Sequence, residues 1–402
     1  MSYGEVIESS TQRLRKLTQK GGTIIGYLYP HTPIELLMAH GLTPSLIRVN
    51  PSSSAGFEDS LQTFSCSFTR NIYSQRANGG LLDLSGIVFP GNTCDALQNV
   101  ADVWRYRYPD DKVFRLTYPI TPVSDASIDF LAHEIKKLSD SIAEAYGKSF
   151  SKSDYTDSVN LVNQFRDSAQ FLYAARVYDS TIISYSKLTG LVRDFLTAPD
   201  SSVIDELLSR EQKARKMLRE TGLEEAVEKL RTCLLTGDFN EMASLSQKFP
   251  RIVIAGGMVE PQAIASLLGG IDSVSEDVLA LDILSFGFKI VFTPKTPLNE
   301  NPFRDLAEVI LQAPSEPTHE GLNSRVSYLK QMLVKLGIRG LVVSEQSFCD
   351  PDEFEAPSLE KAAKEVGIPS MRLPMDPEIS DRGRLEGRLQ TFLETLEGEE
   401  VE

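Results

Sequence analysis

TIIGYLYPHTPIELLMAHG (23–41) is the stretch that decides the architecture. Its first eight residues form an apolar run of strand length that ends in Pro30. PIELLMAHG reads as a short helix, with Pro33 at its start and Gly41 at its end. The pattern recurs outward from there. PSLIRVNP (44–51), LSGIVFPGN (84–92) and KVFRLTYP (112–119) are short runs rich in β-branched residues and closed by Pro or Asn. TCDALQNVADVWRY (93–106) is helix-like between two of them. Such alternation predicts a parallel sheet covered by helices.

From about Asp125 to about Lys248 the strand signals vanish, and segments such as SIDFLAHEIKKLSDSIAEAYG and VIDELLSREQKARKMLRETG carry apolar residues at three and four spacing. Strand signals resume at RIVIAGG (251–257) and continue through FKIVFTP, IRGLVVSE and IPSMRLP, with helix-like VSYLKQMLVKLG and SLEKAAKEVG between them. The expected organisation is an N-terminal α/β domain (1–124) carrying Cys66 and Cys94, a helical region (125–248), and a C-terminal α/β domain (249–402) carrying Cys349. Both sheets are expected to be open and parallel, Rossmann- or flavodoxin-like. The similar design of the halves hints at an internal duplication, and the acidic end EGEEVE reads as a solvated tail.

The 402 residues are 41% hydrophobic and 24% charged, enough to bury a large core. A formal net charge of −15 repels a phosphate backbone, so no nucleic-acid partner is expected. No apolar run approaches the roughly 20 residues of a bilayer span, and MSYGEVIESS lacks a signal-peptide profile. A cytoplasmic location is the expectation. Neither a GxxxxGK[ST] nor a GxGxxG loop is present, so ATP and NAD are not expected ligands, and no GxSxG elbow supports hydrolase chemistry.

Only Cys66, Cys94, Cys233 and Cys349 are available, too few for a disulfide framework. Cys94 follows the strand LSGIVFP through GNT and precedes a helix. Cys349 repeats the placement, because IRGLVVSE runs into QSFCDP. Unpaired amides and the helix dipole favour a thiolate at such junctions. Cys66, in LQTFSCSFTRNIYSQ, lies at or just before a helix, with Arg70 one turn later as a charge partner. Cys233, in EKLRTCLLTGDF, has no such placement and is assigned to packing. Three thiolates can hold three irons of a cubane and leave the fourth open. Zinc is the less natural occupant, since there is no CxxC pair and the four His residues show no ligand spacing. A zinc or metal-free structural role stands as the alternative, and requires the cysteines to lie apart.

GYLYPHTPIELLMAHGLTPSLIRV resembles the amino-terminal signature of the 2-hydroxyacyl-CoA dehydratase and benzoyl-CoA reductase family. IVFPGNTCDALQNVADVW resembles that family's second cysteine segment. SEQSFCDPDEFEAPSLEKAAKEVGIPSMRL resembles its third, and RIVIAGGMVEPQAIASLLGG the opening of its second domain. The resemblance implies a two-domain subunit with one 4Fe-4S cluster on Cys66, Cys94 and Cys349. It also implies a homologous partner subunit and a separate ATP-dependent iron-sulfur activator that delivers a low-potential electron. In such enzymes the electron reaches the acyl-CoA thioester carbonyl, and the resulting ketyl radical anion permits loss of a hydroxyl or reduction of an aromatic ring. Many substrate-binding subunits carry a Ser and a carboxylate where this chain has His31, Thr32 and Asn50, so it resembles the smaller, electron-relaying partner. DSVSEDVLALDILSFG matches the family's acidic strand end without a cysteine, which fits a single cluster. A non-catalytic electron carrier of the same fold is the other alternative. Glu35, in PIEL, is a candidate catalytic group, and a first-turn glutamate favoured by the helix dipole explains it as well. Asp95 and Asp350, each directly after a cysteine, are expected to cap local amides. Tyr27 and Trp104 are expected to be packing residues.

Overall fold

The computed structural model describes residues 3–81, 84–247, 251–272 and 274–398. The final four residues of the acidic tail lie outside them. Strands β1 (Ile24–Tyr27), β2 (Thr43–Leu46), β3 (Gly86–Gly91) and β4 (Val113–Thr117) form a parallel sheet in the order β2-β1-β3-β4. Strands β5 (Ile252–Gly256), β6 (Leu279–Ile283), β7 (Gly340–Gln346) and β8 (Ser370–Met375) form a second, ordered β6-β5-β7-β8. The two orders are the same topology, which supports a duplicated design. Every residue of β1, β3 and β7 is buried. That is why β1 and β3 read as continuous apolar runs rather than as alternating ones.

Helices α1 (Tyr3–Gln19), α2 (Ile34–Ala39), α3 (Ser67–Ala77) and α4 (Asp95–Arg107) are interleaved with the first four strands. Helices α5 (Asp125–Tyr146), α6 (Lys152–Tyr178), α7 (Tyr185–Thr197), α8 (Ser201–Thr221) and α9 (Glu224–Thr236) form the helical middle. Helices α10 (Pro261–Leu268), α11 (Pro302–Gln312), α12 (Leu322–Lys335), α13 (Asp350–Glu365) and α14 (Arg382–Gly398) accompany the second sheet. Starts are marked by chemistry legible in the sequence: Ser124 and Ser127 close a capping box on α5, and Asp200 accepts from the amides of Ser202 and Val203 on α8.

The middle helices are pinned to the second sheet through α6. Arg176 donates to the carbonyl of Leu279 at 2.6 Å, Gln170 to that of Val291 at 2.9 Å, and the Tyr173 hydroxyl to Asp282 at 3.0 Å. Helix α1 crosses between the halves, since Tyr3 is buried in the apolar cluster of Ile252, Ile264 and Leu268. Among the described residues no helix is long and apolar enough to cross a membrane.

One expected strand is wrong. FKIVFTP is not extended: a π-helical turn covers Ser285–Lys289 and runs on into Ile290, and the strand is the preceding segment, β6. The cause is Asp282. Its carboxylate accepts the amides of Leu284 at 3.2 Å and Phe288 at 2.9 Å, which winds the chain around the strand end. Gly287 is required there, because a Cβ would strike the same carboxylate. A short apolar run buried on all sides has no period by which to tell strand from helix. A smaller difference is that β2 ends at Leu46, earlier than PSLIRVNP suggests.

Candidate functional site

Cys66, Cys94 and Cys349 are the N-cap residues of α3, α4 and α13. All three line one cavity of about 40 Å3, together with Tyr29, Thr93, Glu316 and Asp352. Each sulfur faces amides of its own first turn: Phe68 and Thr69 at Cys66, Ala96 and Leu97 at Cys94, and Asp352 at Cys349. The halves of the chain are stapled there. The Ser67 amide donates to the Ser347 carbonyl at 2.9 Å, Ser67 Oγ to Gln346 Oε1 at 3.0 Å, and Gln346 Nε2 to the Met258 carbonyl at 3.1 Å. Two of the cysteine loops contain a non-glycine residue in the left-handed region, Asn92 at φ 59° and Phe348 at φ 60°. Strain of this kind, of order 1–3 kcal/mol per residue, clusters at functional sites.

Two of the three thiols are poorly suited to ionise by themselves. Burial pushes Cys94 up to about 12. The Cys66 and Cys349 thiols interact with each other, which holds Cys66 below the ordinary thiol range and drives Cys349 far above it. A cationic metal group is what would ionise all three, and the converging amide dipoles would then favour the anionic thiolates. Two further observations fit a group held here. Thr93 Oγ1 and Asp352 Oδ2 are buried with no hydrogen-bond partner, and Gly257 leaves a space that a Cβ could enter only by striking the Asp352 carboxylate. Among the described residues no set of three His, Cys, Asp or Glu side chains is arranged to hold a single metal ion. A cubane offers each thiolate a separate iron, so its ligands stand further apart than those of a single metal ion.

Behind the cavity lies a charged network that sequence reasoning missed. Glu316 is buried and accepts from Ser285 Oγ at 2.6 Å and Lys289 Nζ at 3.1 Å, with His31 Nε2 3.8 Å away. Burial opposes its charge, and Lys289, with the hydrogen bonds from Ser285 and Lys289, outweighs it, so Glu316 stays below the usual carboxylate range. Asp352 lacks such a direct pairing, and burial raises it to about 7. Burial also lowers both His31 and His319 to about 4. Tyr29 links the parts, with its hydroxyl 3.1 Å from Thr318 Oγ1 and 3.3 Å from His319 Nδ1. Lys289 was hidden inside the misread FKIVFTP. No local motif marks Glu316, which sits in the loop between α11 and α12.

Other expectations separate from the site. Glu35 is buried against Arg166, 3.1 Å away, accepts from Thr296 Oγ1 at 3.1 Å, and lines a different cavity. Cys233 is buried in the core through α9. The Arg70 guanidinium lies over the rings of Phe57 and Phe348. Asp95 and Asp350 are exposed in their first turns, the N-caps being the cysteines themselves, which make no side-chain cap bond. The acid turned inward is Asp352, two residues on from Asp350. Tyr27 and Trp104 are buried core residues, as expected.

The family model described as 2-hydroxyglutaryl-CoA dehydratase, D-component, matches residues 30–396. The chain belongs to that family. Relatives of this dehydratase-family chain are distant but collinear. The (R)-phenyllactyl-CoA dehydratase beta subunit of Clostridium sporogenes is 19% identical over 400 residues, covering 98% of this chain and 97% of that one. The (R)-2-hydroxyglutaryl-CoA dehydratase, subunit beta, of Acidaminococcus fermentans is 23% identical over 407 residues, covering 98% of each. A benzoyl-CoA reductase subunit of Thauera aromatica is 20% identical over 374 residues, covering 91% and 88%.

The dehydratase-family chain also carries a wide cleft of about 540 Å3 at the carboxyl ends of β5 and β6, reached by Gly256, Ile283, Lys289 and Arg325. The Lys289–Glu316 pair stands between this cleft and the cysteine cavity. One pH effect follows from the same network. His31 titrates near 6.5 when unfolded and near 4 in place, so between those values the unfolded chain binds a proton that the folded chain refuses. That contribution is complete above pH 6.5 and is lost as pH falls to 4. His31→Gln is therefore expected to shrink the acid-side loss of stability between pH 6.5 and 4 by about 3 kcal/mol, read from urea midpoints of both proteins. Equal losses in the two proteins would refute the assignment.

Proposed function

We propose that this chain is the smaller, electron-relaying subunit of an ATP-activated iron-sulfur enzyme that dehydrates 2-hydroxyacyl-CoA thioesters, with one 4Fe-4S cluster on Cys66, Cys94 and Cys349. The observation that carries it is the meeting of three helix-capping cysteines, far apart in sequence, in one cavity. When bound, the cluster supplies one-electron chemistry at low potential. The chain's own work is to hold it with three sulfurs, aim amide dipoles at them, and keep water out with Tyr29, Phe68, Leu97 and Pro317. The three-unit division at 124 and 248 is part of the same reading. The second subunit is a homologue, in line with relatives named as beta subunits, and a separate activator supplies the electron, since this chain has no phosphate loop.

Support for the relay role is local. The groups at the first strand-helix junction are engaged: Thr32 Oγ1 donates to the Tyr29 carbonyl at 2.9 Å, and His31 Nε2 lies 3.2 Å from the Pro314 carbonyl. A second reading places an acyl-CoA in this chain's own wide cleft, which abuts Lys289. The likeness to a benzoyl-CoA reductase keeps aromatic ring reduction as the alternative reaction.

Anaerobic reconstitution followed by iron assay and EPR tests the core of the proposal, and about four irons per chain with a reduced cubane signal are expected. A colourless, iron-free protein would end it. Acyl-CoA titrated into the complex separates the readings, because a pure relay leaves the cleft-facing Tyr328 and Arg325 unprotected from chemical labelling.

A further inference from the structure

Between α1, the end of β2 and α7 lies another cavity, of about 340 Å3, that shares no lining residue with the cysteine cavity. Arg48 lines it while being only 6% exposed. Its guanidinium is engaged on two sides. Nη1 donates to both oxygens of Glu260 at 2.9 Å, and the ring of Phe286 covers the plane at 5.7 Å. The remaining edge, Nε and Nη2, is buried and has no acceptor among the described residues.

That edge is the side-on fork with which arginine grips an oxyanion through two parallel bonds. At two other arginines of this chain the same fork is filled by protein. Arg76 gives Nε and Nη2 to Asp111 at 2.8 and 3.0 Å, and Arg219 gives them to Glu224 at 2.6 and 3.0 Å. At Arg48 the carboxylate sits on the other side of the guanidinium, and Glu260 does not line the cavity.

A second guanidinium stands beside the first. Arg193 lines the cavity and places Nη1 3.1 Å from Glu260, close enough for ion pairing though not aligned as a hydrogen bond. Two buried guanidinium groups thus flank Glu260, and the half-buried Asp194 also offsets their charge. Ser45 Oγ, on the same wall, is buried and unpaired too. Glu8 and Arg15 sit on exposed positions of α1 at the rim, and their charges offset each other.

We propose that this cavity binds a phosphate-class oxyanion, gripped by the Arg48 fork, with Ser45 Oγ and the Arg193 charge supplying the other contacts. The anion is either free phosphate or a phosphate borne on a nucleotide. The site does not depend on the iron-sulfur reading, so a colourless protein that binds phosphate here would leave it standing.

Calorimetric titration of the full chain with inorganic phosphate, and separately with adenosine 3′,5′-bisphosphate, tests it. Saturable one-site binding is expected. Arg48→Lys keeps the charge and the Glu260 pair but removes the fork, and should weaken binding at least about tenfold; Ser45→Ala should weaken it about threefold. Tighter binding of the bisphosphate assigns the site to a nucleotide, and binding of phosphate alone assigns it to the free ion. No heat with either ligand at about 10 mM overturns the proposal. So does binding that both variants leave unchanged. If Arg48→Lys loses its fold by circular dichroism, Ser45→Ala decides alone.

Discussion

Replacing Cys94 by serine is expected to abolish most of the iron content and visible absorbance of the reconstituted chain, and to lower activity of the assembled enzyme by about 100-fold or more. A serine hydroxyl is a hard, high-pKa ligand where a soft thiolate suits an iron-sulfur cluster. The fold should survive. Cys94 is only partly buried, makes no cap bond through its side chain, and differs from serine by one atom, so stability of the iron-free chain should change by no more than about 0.5 kcal/mol. Cys233→Ser inverts the pattern: iron stays, while a hydroxyl introduced into the buried face of α9 costs about 1–3 kcal/mol. Iron assay and thermal melts on both variants separate ligand from packing residue. Unaltered iron in Cys94→Ser would remove the foundation of the functional proposal.

Lys289→Met carries the largest expected loss of stability. The substitution leaves Glu316 charged, buried, and supported by only Ser285 and a neutral His31. Removing one member of a buried pair costs about 3–5 kcal/mol, because the other charge stays desolvated without its partner. It also deprives Asp352 of a cation that lowers it, so that carboxyl should rise further. The double variant Lys289→Met with Glu316→Gln is expected to recover more than half of the loss. Urea unfolding of the two singles and the double gives the coupling directly. Additive losses would show that the 3.1 Å contact contributes nothing.

The parts of the site that were legible share a local signature. Cys94 and Cys349 each follow a buried strand and open a helix, and both signals lie within about ten residues of the sulfur. Cys66 has no preceding strand, so its helix-cap position shows only weakly in SFTRNIYSQ. Glu35 stood as a catalytic candidate beside a plain first-turn reading, and the partner that claims it, Arg166, comes from α6. The FKIVFTP error had the same root. What bends that segment is a carboxylate, Asp282, whose capping of two amides no hydrophobic pattern encodes.

By itself the sequence determined the α/β class, the helical middle, the two strand-to-helix cysteine junctions and the family resemblance, because burial of continuous apolar strands and the chemistry of helix ends act over a few neighbouring residues. Only the tertiary structure decided which groups meet. The closing of Cys66 on Cys349, the Lys289–Glu316 pair behind them and the unpaired edge of Arg48 join residues from separate elements. Such contacts are set by how whole sheets and helices pack, and the cost of burying a charge or a thiol depends on that packing rather than on its neighbours along the chain.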